Sequence, residues 1–358
     1  MKVYFLTGGY DGCYYVRCLQ PLIYNGWWGA KTSLRSPAES NKNQFHGAMA
    51  ADVVVFQRPM QKEMLEAAKL LKEKGKVIVF DNDDTYIRDS GQPSVLTEIF
   101  QKQLDEKIDE IEARLKEFAS IADLVTVSTE FLKKEYENVN PNTVVLPNCI
   151  DPLDWPKPKR RKSGKVRVGI VGSAAQDGDF NSVLPALREL KDDIQLLVFS
   201  TPIKNKANQE IAKLYAEETA LWDSFDVEWQ HFVDIADYMD ALNNMEMDIM
   251  VIPRKDTYFN RCKSNVKFLE ASMLEIPVIA QGFPDKQSPY QQPEDAKHML
   301  IANTEADWLT HLKTLINDKK LRQKMGKEAR KYVLRNYNIN NKAQDWAENY
   351  KRIYEART

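Results

Sequence analysis

The densest group of chemically capable residues lies at 253–270, where Arg254, Arg261, Lys263, Ser264, Asn265, Lys267 and Glu270 fall within eighteen positions. An apolar run at 248–252 precedes it, so the group opens at the carboxyl end of a strand, where open α/β sheets bind ligands. Ser264 reads as the N-cap of a helix carrying Lys267, Glu270 and Met273. Arg254, Arg261 and Lys263, with the free amides of that helix start at Ser264 and Asn265, then form an anion site suited to a diphosphate. Glu270, near mid-helix, is placed to accept hydrogen bonds from two ribose hydroxyls. A solvated charged loop before an ordinary helix has the same composition.

Two glycine turns follow other apolar runs, Gly8 and Gly9 after 3–6, and Gly172 with Ser173 after 166–171. Lacking Cβ, such glycines let backbone N–H groups approach a phosphate or sugar, though either is equally a plain turn. An acidic cluster, Asp81, Asp83 and Asp84, follows the run 77–80. One of its carboxylates would serve as a general base, or all three would cap the following loop. With Thr85, the spacing of Asp81 and Asp83 is also similar to the nucleophile loop of haloacid-dehalogenase-type phosphatases. There Asp81 would attack phosphorus and Asp83 act as acid, with Mg²⁺ between them.

The elements that position these residues alternate. Apolar runs at 3–6, 53–56, 77–80, 124–127 and 144–146 are separated by amphipathic stretches. In the clearest of these, Leu96, Ile99, Phe100, Leu104, Ile108, Ile111, Leu115 and Phe118 share a stripe. The segment 147–164 breaks the pattern with Pro152, Pro156 and Pro158 and five cations at 157–162, and reads as a linker. Beyond it come runs at 166–171, 194–199, 227–232, 248–252, 277–280 and 299–302, a helix at 183–190, and a last helix with Trp346, Tyr350 and Tyr354 on one face. Continuous apolar strands between helices imply parallel sheets covered on both faces. The expected class is α/β, with two Rossmann-like doubly wound domains facing a cleft, 1–152 and 153–337.

With 358 residues, two domains are the natural division. A net charge of −2 excludes a global basic field for nucleic acid, leaving only a local patch at 157–167 with seven cations. Those cations would reach a phosphate backbone at the cleft mouth. Four cysteines without a C-x-x-C pair, and scattered histidines, argue for reduced thiols in a cytoplasmic protein and for no metal site. No stretch of about eighteen apolar residues is present to span a membrane.

The stretch 248–280 resembles the donor-binding segment of family-four glycosyltransferases of the GT-B fold, the glycosyl transferases group 1. Asp248, Pro253, Phe259, Asn260, Lys263, Ser264, Asn265, Lys267, Leu269, Glu270, Pro277, Val278 and Ala280 carry the likeness. So do Tyr14, Tyr15, Arg17 and Pro21, the segment Val55 to Pro59, the acidic cluster at 80–84, Val127 to Thr129, and Leu146 to Asp151. This resemblance implies a GT-B enzyme moving a sugar from a UDP- or GDP-linked donor to a hydroxyl, with retention of configuration. It needs no obligatory cofactor, and a divalent cation is compatible but not required. Lys263 and Lys267 would hold the diphosphate and Glu270 the ribose, with the base near His231. Gly8, Gly9, Arg17 and Arg58 would face the transferred sugar or acceptor. The final helix, about 338–358, would cross back onto the first domain. Three positions depart from the pattern: Gln176 replaces a histidine, Glu275 a glycine and Cys262 a glutamate. The acceptor is left open among glycans, lipid-linked sugars, small molecules and, as a minor reading, duplex DNA. A non-catalytic nucleotide-sugar-binding protein is the other alternative.

Overall fold

The apolar runs become strands, and those at 3–6, 53–56, 77–80 and 249–252 have their side chains buried on both faces of a sheet. The computed structural model describes residues 1–7, 9, 11–31, 42–87, 97–161, 163–172, 179–200 and 224–357. The first sheet holds β1 (Val3–Thr7), β2 (Trp28–Lys31), β3 (Val53–Gln57), β4 (Val77–Asn82), β5 (Leu124–Val127) and β6 (Thr143–Val145), in the order β2-β1-β3-β4-β5-β6. The second holds β7 (Val166–Val171), β8 (Ile194–Phe199), β9 (Val227–Gln230), β10 (Ile249–Ile252), β11 (Val278–Gln281) and β12 (Leu300–Ala302), in the order β12-β11-β10-β7-β8-β9. All pairings are parallel. This is the expected pair of doubly wound α/β units.

Six helices position the site: α1 (Thr97–Ile121), α2 (Glu130–Tyr136), α3 (Tyr258–Cys262), α4 (Val266–Met273), α5 (Lys319–Asn336) and α6 (Ile339–Glu355). On the first sheet, Tyr4, Leu6, Val54, Phe56, Ile78 and Phe80 pack against α1 through Leu115 and Phe118. Val3, Phe5, Val53, Val55 and Val79 face the other way, onto Trp346, Tyr350 and Ile353 of α6. The last helix thus covers the first sheet, as expected. On the second sheet, Phe268, Leu269 and Met273 of α4 share one core with Tyr332 and Val333 of α5.

The chain crosses between the sheets twice at one place. Ile150 N donates to Tyr337 O at 2.8 Å, and Ile339 N donates to Ile150 O at 2.9 Å.

Trp27 stacks between Phe5 and Tyr350, 6.0 and 5.4 Å between centroids. One expectation changes: Arg160 and Arg161 of the linker do not reach the cleft mouth. Arg160 and Arg161 sit with Asp248, Glu275 and Pro277, at the amino ends of β10 and β11. Arg160 is held there by the carbonyls of Leu274 and Glu275. That pole lies opposite the carboxyl ends where ligands bind.

Candidate functional site

The start of α4 joins the two halves. Lys263 Nζ lies 2.9 Å from both carboxylate oxygens of Asp84, which belongs to the loop after β4. It also sits 4.0 Å from the Phe259 ring centroid. Ser264 is not the N-cap. Asn265 takes that place without a side-chain cap bond, because its amide is committed to Asp295 Oδ2 at 2.5 Å and Tyr337 OH at 3.2 Å. Ser264 instead accepts from Asn148 Nδ2 at 2.9 Å. Helix starts without a side-chain cap leave donors for a ligand.

One turn on, Lys267 Nζ donates to Glu270 Oε2 at 2.9 Å and to Tyr238 OH at 2.8 Å. Tyr238 OH donates to the same Oε2 at 2.7 Å. Among the described residues Oε1 of Glu270 accepts nothing, so it is open to hydroxyl donors. Burial, with Glu270 beside it, raises the Tyr238 phenol well above its usual pKa, which keeps it a proton donor. Sequence reasoning missed Tyr238: it lies in a helix, Ile235–Asn244, whose pattern is that of ordinary core packing.

The acidic cluster divides. Asp81 is fully buried and receives Arg17 Nε and Nη2 at 3.1 and 2.6 Å, and Thr126 Oγ1 at 2.6 Å. With both oxygens engaged it cannot attack phosphorus, which removes the phosphatase reading. Arg17 changes role with it. Its guanidinium has no exposed surface and also donates to Leu146 O and Asn148 Oδ1, so it braces the cleft floor rather than touching sugar or acceptor. Burial pushes the Asp83 carboxyl up, but Arg58, the Cys13 thiol, Arg17 and Lys263 outweigh it and hold it below the usual value. A carboxylate held that low is a poor base and a good counter-ion. Arg58 reaches Asp83 at 3.3 Å and Asp84 at 3.0 Å from a left-handed backbone, φ 49°, a strain that clusters at functional sites.

Other positions fall outside this constellation. Arg254 is buried on Asp179, 3.1 Å away, and Asp179 also takes Lys255 N and Asn260 Nδ2. This pair shapes the loop after β10 rather than meeting a donor. Arg261 pairs with Asp256 at 2.8 Å and with Asp285. Gly172 N is already bonded to Phe199 O at 3.2 Å. Gly9 lies half-buried after β1, and His231 is exposed after β9. Gly8, Ser173 and Gln176 lie outside the described residues. Cys262, where a glutamate was expected, is fully buried among first-half core residues. Its Sγ donates to Glu135 Oε1 at 3.4 Å, and its carbonyl accepts from Thr129 Oγ1 at 3.0 Å. The position has become an interdomain contact. Glu275, where a glycine was expected, has φ 54°, the left-handed region that favours glycine.

Residues 183–348 match the family described as glycosyl transferase-like. A sequence search found no significant match among curated proteins. Several solved structures share the fold. HepE (Alr3699) of Anabaena, in complex with UDP, is 13% identical with TM-score 0.65, over 98% of this chain and 100% of that one. WaaG, a glycosyltransferase involved in lipopolysaccharide biosynthesis, is 14% identical with TM-score 0.61, over 97% and 98%. A glycosyltransferase from Rickettsia africae ESF-5 is 13% identical with TM-score 0.60, over 98% of each chain. The fold is the GT-B fold, and the family match takes in α3, α4 and α5.

Proposed function

We propose that the chain is a group 1 GT-B glycosyltransferase moving a sugar from a UDP- or GDP-linked donor to a hydroxyl acceptor. The observation that carries this reading is the pairing, on one helix, of a cationic start without a side-chain cap and a carboxylate with one open oxygen. Lys263, Lys267 and the amides after Ser264 hold the diphosphate, and Glu270 holds the ribose. That HepE is crystallised with UDP and with UDP-glucose supports a uridine donor. We divide the chain into 1–152 with 338–358 on the acceptor side, and 153–337 on the donor side. A cytoplasmic setting, where cysteines stay reduced, is the compartment we assign. A glycan suits the acceptor better than duplex DNA, since Arg160 and Arg161 lie at the opposite pole.

Breaking the glycosidic bond leaves negative charge on the β-phosphate. Fixed ammonium groups and helix-start amides stabilise that charge as it grows, without reorganising. Asp84 stands beside Lys263, where the donor diphosphate is expected, and we assign it to take a proton from the acceptor hydroxyl. Retention of configuration is the expected outcome, read from the anomer of the product.

Ligand at about 100-fold over its dissociation constant stabilises a fold by about 2.7 kcal/mol. UDP should do so here. In Glu270→Ala, the loss of charge-assisted hydrogen bonds, about 2–3 kcal/mol, reduces that stabilisation to about 0.3–0.9 kcal/mol at the same ligand concentration. An unchanged UDP affinity in this variant, by calorimetry, removes the ribose role. Asp84 now occupies the cation the diphosphate needs, so Asp84→Asn should tighten UDP roughly fivefold while lowering turnover, the pair being partly solvated. Weaker UDP binding in Asp84→Asn would show that Asp84 orients Lys263 rather than competing for it.

A further inference from the structure

Beside Lys263, on the flank of the cleft nearest the interdomain crossing, lies a cavity of about 230 Å³. Its walls include Ser128 and Thr129 after β5, Lys134 of α2, and Arg261, Ser264 and Asn265 at the start of α4. Lys267, Tyr238 and Glu270 are not among its lining residues, so it is not the nucleoside end of the proposed donor site. We propose that this cavity is an acceptor subsite that takes a phosphate group, so that the acceptor is a phosphorylated hydroxyl compound. The proposal rests on the glycosyltransferase reading and narrows its substrate class.

Two observations meet there. Ser128 Oγ is buried, its residue 4% exposed, and has no hydrogen-bond partner. An orphaned buried hydroxyl costs free energy unless something supplies a partner. Lys134 has no carboxylate partner among the described residues and lies 5.0 Å from the Phe131 ring centroid. The start of α4 lies on the same wall, but its amides belong to the donor diphosphate. Arg261 and Lys263 add positive charge already balanced by Asp256, Asp285 and Asp84, and Glu130 is the acidic residue on the wall. A hydroxyl and an ammonium brought to one cavity by separate elements suit a phosphate oxyanion. Held here, an acceptor keeps its hydroxyl beside Lys263 and Asp84, where the donor diphosphate is expected.

The probes are inorganic phosphate, glucose 6-phosphate and UDP, titrated calorimetrically into the full chain in a phosphate-free buffer. Phosphate and glucose 6-phosphate should bind the wild type with comparable affinity, and still bind when UDP is saturating. Lys134→Gln should weaken both about tenfold and Ser128→Ala several-fold, with UDP affinity unchanged in either variant. Glu270→Ala should weaken UDP and spare phosphate. Phosphate binding untouched by both variants, phosphate displaced one for one by UDP, or glucose 6-phosphate binding far more weakly than free phosphate would each overturn the subsite. Failure of UDP to bind the wild type would instead sink the donor reading, and the phosphate titration separates the two outcomes.

Discussion

Arg17→Met should unfold about 3–5 kcal/mol more readily than the wild type, the largest single effect we expect in this chain. Arg17 and Asp81 form a fully buried ion pair in which the guanidinium also serves Leu146 O and Asn148 Oδ1. Removing the cation strands a carboxylate with no water to receive it, and charge stranded in that way is far more costly than the pair itself is stabilising. Thermal and urea unfolding should show a melting point lower by roughly 10 °C, at ~2–4 °C per kcal/mol for a unit of this size. Arg17→Met combined with Asp81→Leu should recover at least half of the loss, since a packed apolar pair can replace a buried ionic one. The carbonyl of Leu146 and the amide of Asn148 would still lack their donor, so recovery stays partial. A single variant within 1 kcal/mol of the wild type would refute the bracing role.

The second large effect sits on the far side of α4. A Cβ added to Gly326 would stand 1.8 Å from Glu275 O and 2.5 Å from Glu275 C. Both are backbone atoms, so relief requires α5 to move away from the end of α4. Gly326→Ala should therefore be destabilising by about 3 kcal/mol, at the upper end for overpacking. Glu275→Gly makes the informative comparison. It relieves a left-handed non-glycine residue, worth about 1 kcal/mol. It also gives up contacts at 3.6 Å to Arg160 and 3.7 Å to Arg330, half-exposed pairs worth no more than ~1 kcal/mol together. Near-neutrality is the expected result. If Gly326→Ala matches the wild type in urea unfolding, the close approach of the two helices is not a constraint.

Much of the fold was legible because parallel strands buried on both faces are continuous apolar runs, as β1, β3, β10 and β11 are. β2 and β9 are not: Trp28, Gly29, Ala30 and Lys31 form no such run, and Glu228 and Gln230 interrupt β9; both are edge strands recruited by pairing with β1 and β8. The acidic cluster and the cationic segment were also visible, since charge after an apolar strand falls where sheets bind ligands. Which charges face a cavity was not. Arg17 and Lys263 look alike in a sequence, yet one lies buried at the carboxyl end of β4 with Asp81 and the other reaches across to Asp84, and only tertiary placement separates them. Ser264 fitted the N-cap pattern, but a distant carboxylate, Asp295, claims the side chain of Asn265, which occupies that place. Ser128 gave no chemical signal beyond its neighbours, because an unsatisfied hydroxyl exists only once its surroundings are built.

The doubled crossing at Ile150 and Asn338 works as the spine of a book. Covers that share one spine swing through an angle, and a given angle opens a gap in proportion to distance from the fold line. Pro147, Asn148 and Tyr337 are beside that line, so a cavity there keeps its shape while the pages part. A molecule seated by the spine can stay in place while a larger one enters and leaves at the open edge.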